Sequence, residues 1–176
     1  MFLIFSDSHK IISNMRLVTE KLMPDLEYIF HLGDHYSDAL ILKEAFPEIP
    51  FLSVCGNCDF DVKAPKDGLL EINGKTFFLT HGHNYGVKTT ADRLITAARA
   101  REAQICLFGH THVPDIFYAG DTLFLNPGSI SLSRNIDKPT YGVLDFTESG
   151  VVPAIAAVVG GVCAPVRVKP RQMGVK

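Results

Sequence analysis

The chain has 176 residues, 47% hydrophobic and 20% charged, with a formal net charge of −2. That is enough for one domain with a substantial core, taken to span 1–176. The absence of a basic stripe excludes a general nucleic-acid binder.

Phe2-Leu3-Ile4-Phe5 is a continuous apolar run that suits a strand buried on both faces. A helix capped by Ser13 or Asn14 is expected to run to about Met23, with Met15, Val18 and Leu22 on one face. Leu26–Phe30 is the next strand, and Ser37 can cap a second helix that ends at Pro47. Phe51–Val54 is a third strand. This alternation is the signature of a parallel sheet. Residues 69–72 and 76–79 then flank Asn73-Gly74, a hairpin signal. A helix over Thr90–Ala103 and a strand over Ile105–Phe108 follow. Short strands around Gly120-Asp121 and at Tyr141–Phe146 come after these. The apolar stretch Val151–Val168 is broken by Pro153, Gly160, Gly161 and Pro165. A bilayer helix needs roughly 20 apolar residues, so buried strand and turn are expected there and no membrane contact. That stretch could also supply a homo-oligomer interface. The expected architecture is α/β, with two packed mixed sheets and helices outside.

The seven histidines, at 9, 31, 35, 81, 83, 110 and 112, are bunched, and they sit where apolar runs end. Asp7-Ser8-His9, Gly33-Asp34, Gly56-Asn57, His81-Gly82-His83 and Gly109-His110-Thr111-His112 each follow a predicted strand. In open α/β sheets, ligands gather outside the carboxyl ends of strands. In extended backbone, residues i and i+2 share a side, so Asp7 and His9 can face one ion, and His110 and His112 can share a pocket. Mixed oxygen and imidazole donors suit manganese, with nickel, zinc or iron as alternatives, rather than magnesium or calcium. Asp7, His9, Asp34, Asn57, His81, His110 and His112 are too many for one tetrahedral ion with an open position. They suit two divalent ions about 3.5–4 Å apart, with Asp34 as the bridge.

Asp7-Ser8-His9, Gly33-Asp34, Gly56-Asn57-Cys58-Asp59, His81-Gly82-His83 and Gly109-His110-Thr111-His112 stand in that order, with Asn126-Pro127-Gly128-Ser129 after them. On these motifs the chain resembles the calcineurin-like metallophosphoesterase superfamily, and within it the small single-domain phosphodiesterases. The resemblance implies a four-layer α/β/β/α sandwich with two mixed sheets flanked by helices. It implies that Asp7, His9, Asp34 and His112 hold one metal, and Asp34, Asn57, His81 and His110 the other. The implied reaction is hydrolysis of a small phosphate diester by in-line attack of a hydroxide generated between the two cations.

One position departs from many members of that superfamily, which carry histidine after the asparagine. Here it is Cys58, so Cys58 and His83 are the candidate proton donors. Arg134 is a candidate phosphate contact, beside the plainer reading of a surface arginine. Cys55 and Cys58 also form a C-x-x-C, but Cys55 continues a strand and reads as a buried thiol. Four sparse cysteines suit a reducing cytoplasm. The rival functions are a phosphomonoesterase and a non-catalytic metal-binding scaffold of the same fold, like a retromer subunit.

Overall fold

In the computed structural model, which describes residues 1–60 and 62–174, two six-stranded mixed sheets pack face to face. In the first, β1 (Phe2–Phe5) lies centrally. It pairs in parallel with β2 (Tyr28–His31), which pairs in parallel with β3 (Phe51–Ser53). On its other edge β1 pairs antiparallel with β9 (Thr140–Thr147), followed by β10 (Gly150–Val159) and β11 (Val162–Val166). The second sheet has the order β12-β7-β8-β6-β5-β4. Its strands are β4 (Asp67–Ile72), β5 (Lys75–Thr80), β6 (Ile105–Phe108), β7 (Asp115–Ala119), β8 (Thr122–Asn126) and β12 (Arg171–Met173).

The period of two along each strand divides the core into layers. Phe2 and Ile4 face the space between the sheets with Phe30, Phe77 and Leu107, while Leu3 and Phe5 face Met15 and Val18 on α1 (Ile12–Leu22). With α2 (Tyr36–Ala45) beside α1 and α3 (Asp92–Arg99) packed on the outer face of the second sheet, helices flank both sheets. Among the described residues, no helix is long and apolar enough to cross a membrane.

Three local expectations change. Helix α1 starts two residues before Asn14 and has no side-chain cap; the Asn14 amide donates instead to the Ile130 carbonyl at 3.0 Å. Ser37 lies inside α2, whose first amide, Tyr36 N–H, donates to the Asp59 carboxylate at 2.6 Å. The cap therefore comes from a loop 23 residues away, a source that no local pattern announces. Helix α3 is shorter than 90–103, because Glu102 takes φ +54° and the Ala103 amide turns back to the Ala98 carbonyl at 3.0 Å.

The Val151–Val168 stretch is a strand hairpin about Gly160-Gly161, both at positive φ. Its outer face is less buried than expected, with Val152, Val159 and Val162 exposed. Strand β12 lacks any sequence alternation and is not foreseen.

Candidate metal centre

The five polar segments do converge. The donor atoms of Asp7, His9, Asp34 and His112 all lie within 4.8 Å of one another, as do those of Asp34, His81 and His110. Asp34 belongs to both groups. Asn57 joins the second group, its Oδ1 lying 3.2 Å from His81 Nε2. His110 and His112 thus fall to different groups that meet at Asp34.

The backbone that achieves this is not extended. Asp7, His9, Asp34, His110 and His112 all sit at positive φ, between 45° and 70°. Left-handed conformation is costly for residues with a Cβ and clusters where surrounding structure enforces a functional geometry. The extended i, i+2 geometry expected from the spacing is thus absent, although the same residues come together. Tight αL turns at the strand ends, not the pleat, bring the side chains together.

The turns are held by close neighbours. The Asp7 amide donates to the Gly33 carbonyl at 3.0 Å, and Asp7 Oδ2 accepts from Ser6 Oγ at 2.6 Å and from the His110 amide at 3.1 Å. The Asp7 carbonyl accepts from both Ser129 Oγ at 2.8 Å and Ser131 Oγ at 3.0 Å. Asp34 Oδ1 accepts from the Cys58 amide at 2.9 Å. A Cβ on Gly56 would strike Asp34, and one on Gly109 would strike Ser6 Oγ, so both glycines are required by space.

Charge and tautomer favour cation binding. The His81 Nδ1–H donates to the Leu32 carbonyl at 2.7 Å, which turns Nε2 toward Asp34 Oδ1 at 3.4 Å, where a cation would displace its proton. Burial would raise the Asp34 carboxyl, but the His81 hydrogen bond and charge outweigh it and hold the group well below the usual carboxylate range. Burial would likewise raise Asp7, and the His112 and His81 imidazoles outweigh it. His81 is raised because Asp34 and Asp7 outweigh its desolvation. Burial, then the neighbouring His81, lowers His110 to about 4, so its ring is neutral at pH 7.

The donor set fits a cation on a specific observation. Asp7 Oδ1 is buried and, among the described residues, has no hydrogen-bond donor; His112 Nε2 lies 3.0 Å away without the alignment of a hydrogen bond. A buried carboxylate oxygen without a partner is costly. A divalent ion among these atoms would satisfy it.

The two candidate proton donors differ. The Cys58 thiol is pushed up to about 11 by burial and then by the Asp34 carboxylate, and its sulfur accepts from the Asn57 amide at 3.4 Å. His83 opens a single 3-10 turn at His83–Tyr85, its ring centre 5.4 Å from that of His81 and 6.0 Å from that of His110. Its Nδ1 is buried and has no partner among the described residues. Burial, then His81, lowers its pKa.

Asp38, Ser8 and His31 are supports that motif spacing does not reveal. Gly33 N–H donates to His31 Nδ1 at 3.3 Å, which leaves Nε2–H to donate to Ser8 Oγ at 3.1 Å. Ser8 Oγ donates to Asp38 Oδ2 at 2.7 Å, and that oxygen also accepts from the Lys10 amide at 2.8 Å. Asp59 clamps the asparagine loop by accepting from the Gly56 amide at 2.7 Å. The Arg134 amide donates to the His112 carbonyl at 2.9 Å, and its side chain is exposed. His35 precedes α2 with its ring centre 5.4 Å from that of His9. Cys55 is buried, its thiol donating toward the Ala64 carbonyl at 3.7 Å.

Comparison with known proteins places these residues in context. The calcineurin-like phosphoesterase superfamily domain matches residues 1–149. A probable metallophosphoesterase of Bacillus subtilis, YsnB, is 30% identical over 143 residues, covering 81% of this chain and 82% of that protein. Phosphodiesterase YfcE of Escherichia coli is 29% identical over 128 residues, covering 68% of this chain and 64% of that protein. A predicted phosphoesterase from Streptococcus pneumoniae superposes with a TM-score of 0.76 at 30% identity, covering 89% of this chain and 88% of that one. Vps29 of Entamoeba histolytica, solved with Zn²⁺, superposes with a TM-score of 0.74 at 20% identity, covering 95% and 97%, and so shares the fold.

Proposed function

Because the chain belongs to the calcineurin-like phosphoesterase superfamily, we propose that it is a phosphodiesterase dependent on two divalent ions, manganese foremost, acting on a small diester in the cytoplasm. The domain is taken to run past residue 149, since β10, β11 and β12 are built into both sheets, while residues 175 and 176 lie outside the described residues. The observation that carries the reading is the unpartnered, buried Asp7 Oδ1 set among imidazole nitrogens.

Asp7, His9, Asp34 and His112 would hold one ion, and Asp34, Asn57, His81 and His110 the other. Bound divalent cations neutralise charge on phosphate oxygens and lower the pKa of water toward neutrality. The chain's own residues do the rest. Asp7 and Asp34 stay ionised at pH 7 and supply the negative charge that retains the cations. The Leu32 carbonyl holds the Nδ1 proton of His81, so that Nε2 is the nitrogen offered to a cation. Tight αL turns pre-set the donors, so little reorganisation is needed when substrate arrives. His83 is the better placed proton donor, because its ring lies beside His81 and His110. The Cys58 thiol is a weaker acid than an ordinary cysteine.

The test is hydrolysis of bis-p-nitrophenyl phosphate and p-nitrophenyl phosphate by metal-stripped protein, with and without Mn²⁺, beside Asp34→Ala. Mn²⁺-dependent release from the diester, abolished by Asp34→Ala, supports the reading. Preference for the monoester makes the protein a phosphomonoesterase. No release by protein shown to hold two ions makes it a metal-binding scaffold.

A further inference from the structure

Beside the metal centre lies a groove of about 630 Å³ that the hydrolytic reading does not use. It runs between the segment leading into α3, the loop after β6, and the edge formed by β7 and β12, and its size suits a ligand larger than a phosphate ion. It adjoins the centre at three places. Thr111, in its wall, stands between His110 and His112. Arg134, also lining it, donates its amide to the His112 carbonyl at 2.9 Å. Val87 packs against Gly82, between His81 and His83, leaving a Cβ there only 3.0 Å from a Val87 methyl.

The groove is cationic on an apolar base. Phe108 and Phe117 form its floor, with ring centres 6.1 Å apart. The Arg171 guanidinium carbon lies 4.9 Å from the Phe117 ring centre, held there by Asp115, whose Oδ2 is 2.5 Å from Nη2. Lys88 and Arg134 are exposed and, among the described residues, form no ion pair, although Lys88 is close enough to His110 to help lower it. Three cations and one carboxylate thus line a groove beside the carboxylates of Asp7 and Asp34. Two unpaired cations on a groove wall attract an anion. The apolar floor asks for an organic group between that anion and the scissile ester.

Resting on the proposed hydrolytic reading, we infer that this groove binds one arm of the substrate diester, and that this arm is an organic group carrying a second anion. Lys88 and Arg134 meet the second anion, Val87 and the phenylalanine floor meet the organic group, and Asp115 keeps Arg171 on the floor. The substrate class is therefore an anionic organic diester rather than a simple dialkyl phosphate.

Two measurements separate this inference from the hydrolytic reading. The first is calorimetric titration of thymidine 3′,5′-bisphosphate into Mn²⁺-loaded wild-type protein and into the double variant Lys88→Ala/Arg134→Ala. Both residues are exposed, so folding should survive, and circular dichroism checks it. The second is KM for thymidine 5′-p-nitrophenyl phosphate with and without a 3′-phosphate. The expected results are binding weakened about tenfold in the variant, and a KM advantage of the 3′-phosphorylated ester that the variant erases. Bisphosphate binding lost in the variant, with no ester turned over by either protein, keeps the groove and sinks the hydrolase. Turnover in which the 3′-phosphate brings no advantage, or one the variant retains, overturns the groove and leaves the hydrolase standing.

Discussion

Nε2 of His9 stands 3.3 Å from Nε2 of His112, and the same His112 nitrogen is 3.0 Å from Oδ1 of Asp7. Two ring nitrogens and a carboxylate oxygen at such separations are held apart by lone-pair repulsion unless a proton or a cation lies among them. Mn²⁺ added to metal-stripped protein at a hundred times its Kd is expected to stabilise the fold by about 3 kcal/mol. For a chain of this size that is a rise in Tm of roughly 6–12 °C. Asp7→Asn should remove most of that rise. Differential scanning fluorimetry reads both, and a Tm indifferent to Mn²⁺ in the wild type would sink the metal centre.

Gly109 has no room for a methyl group, since Ser6 Oγ and Asp7 Oδ2 occupy its place. Gly109→Ala must displace the serine that holds Asp7. The expected cost is about 2–3 kcal/mol by urea denaturation, together with weakened Mn²⁺ binding. Full stability with unchanged binding would show that the turn relaxes freely.

His83 and Cys58 divide by leaving group. A general acid contributes about 10²–10⁴-fold when the departing alcohol is poor and little when it is p-nitrophenol. His83→Gln is expected to lower kcat at least about 10²-fold on a diester that must expel an alkoxide, and by less than about threefold on a p-nitrophenyl ester. Cys58→Ala should change neither beyond about threefold, because the thiol is pushed up to about 11 by burial and Asp34. The reverse pattern would make Cys58 the donor.

His31 is fully buried and its pKa is lowered to about 4 by burial, only partly offset by Asp7 and Asp38. The unfolded chain takes up that proton near pH 6.5, so folded-state stability falls as pH drops from 6.5 to 4. The loss from this group is about 3 kcal/mol. His31→Gln carries no such proton, so in metal-free protein its stability deficit at pH 7 should shrink by that amount at pH 4. A deficit constant with pH would mean that His31 is not held neutral.

Much of the architecture is legible in the sequence because the apolar runs are short and end in glycine or a polar residue. Phe2–Phe5 and Ile105–Phe108 are each recovered to the residue. The donors are legible by their order along the chain. Their backbone is not, because αL conformation at Asp7, His9, Asp34, His110 and His112 is enforced by contacts such as Asp7 with Gly33 and with Ser129. Asp38 is equally silent. On the page it is one more acidic residue in a first helical turn, and only the fold puts it against Ser8 and Lys10. The cap of α2 fails for the same reason, since Asp59 reaches it across the fold.

The placing of β1 between β2 and β9 has a bearing on how the molecule is made. Phe2, Leu3 and Ile4 pair on one side with residues 28–30 and on the other with residues 142–144. During synthesis, then, the first strand can gain one neighbour early but must wait for nearly the whole chain before its second edge is covered. The ties from Ser129 and Ser131 to the Asp7 carbonyl wait as long. An open edge of four apolar residues is a template for mispairing, and contacts so distant in sequence slow folding. The centre is thus a late product of folding. A ribosome-bound chain halted before β9 emerges would carry every proposed ligand residue yet have little to hold them in place.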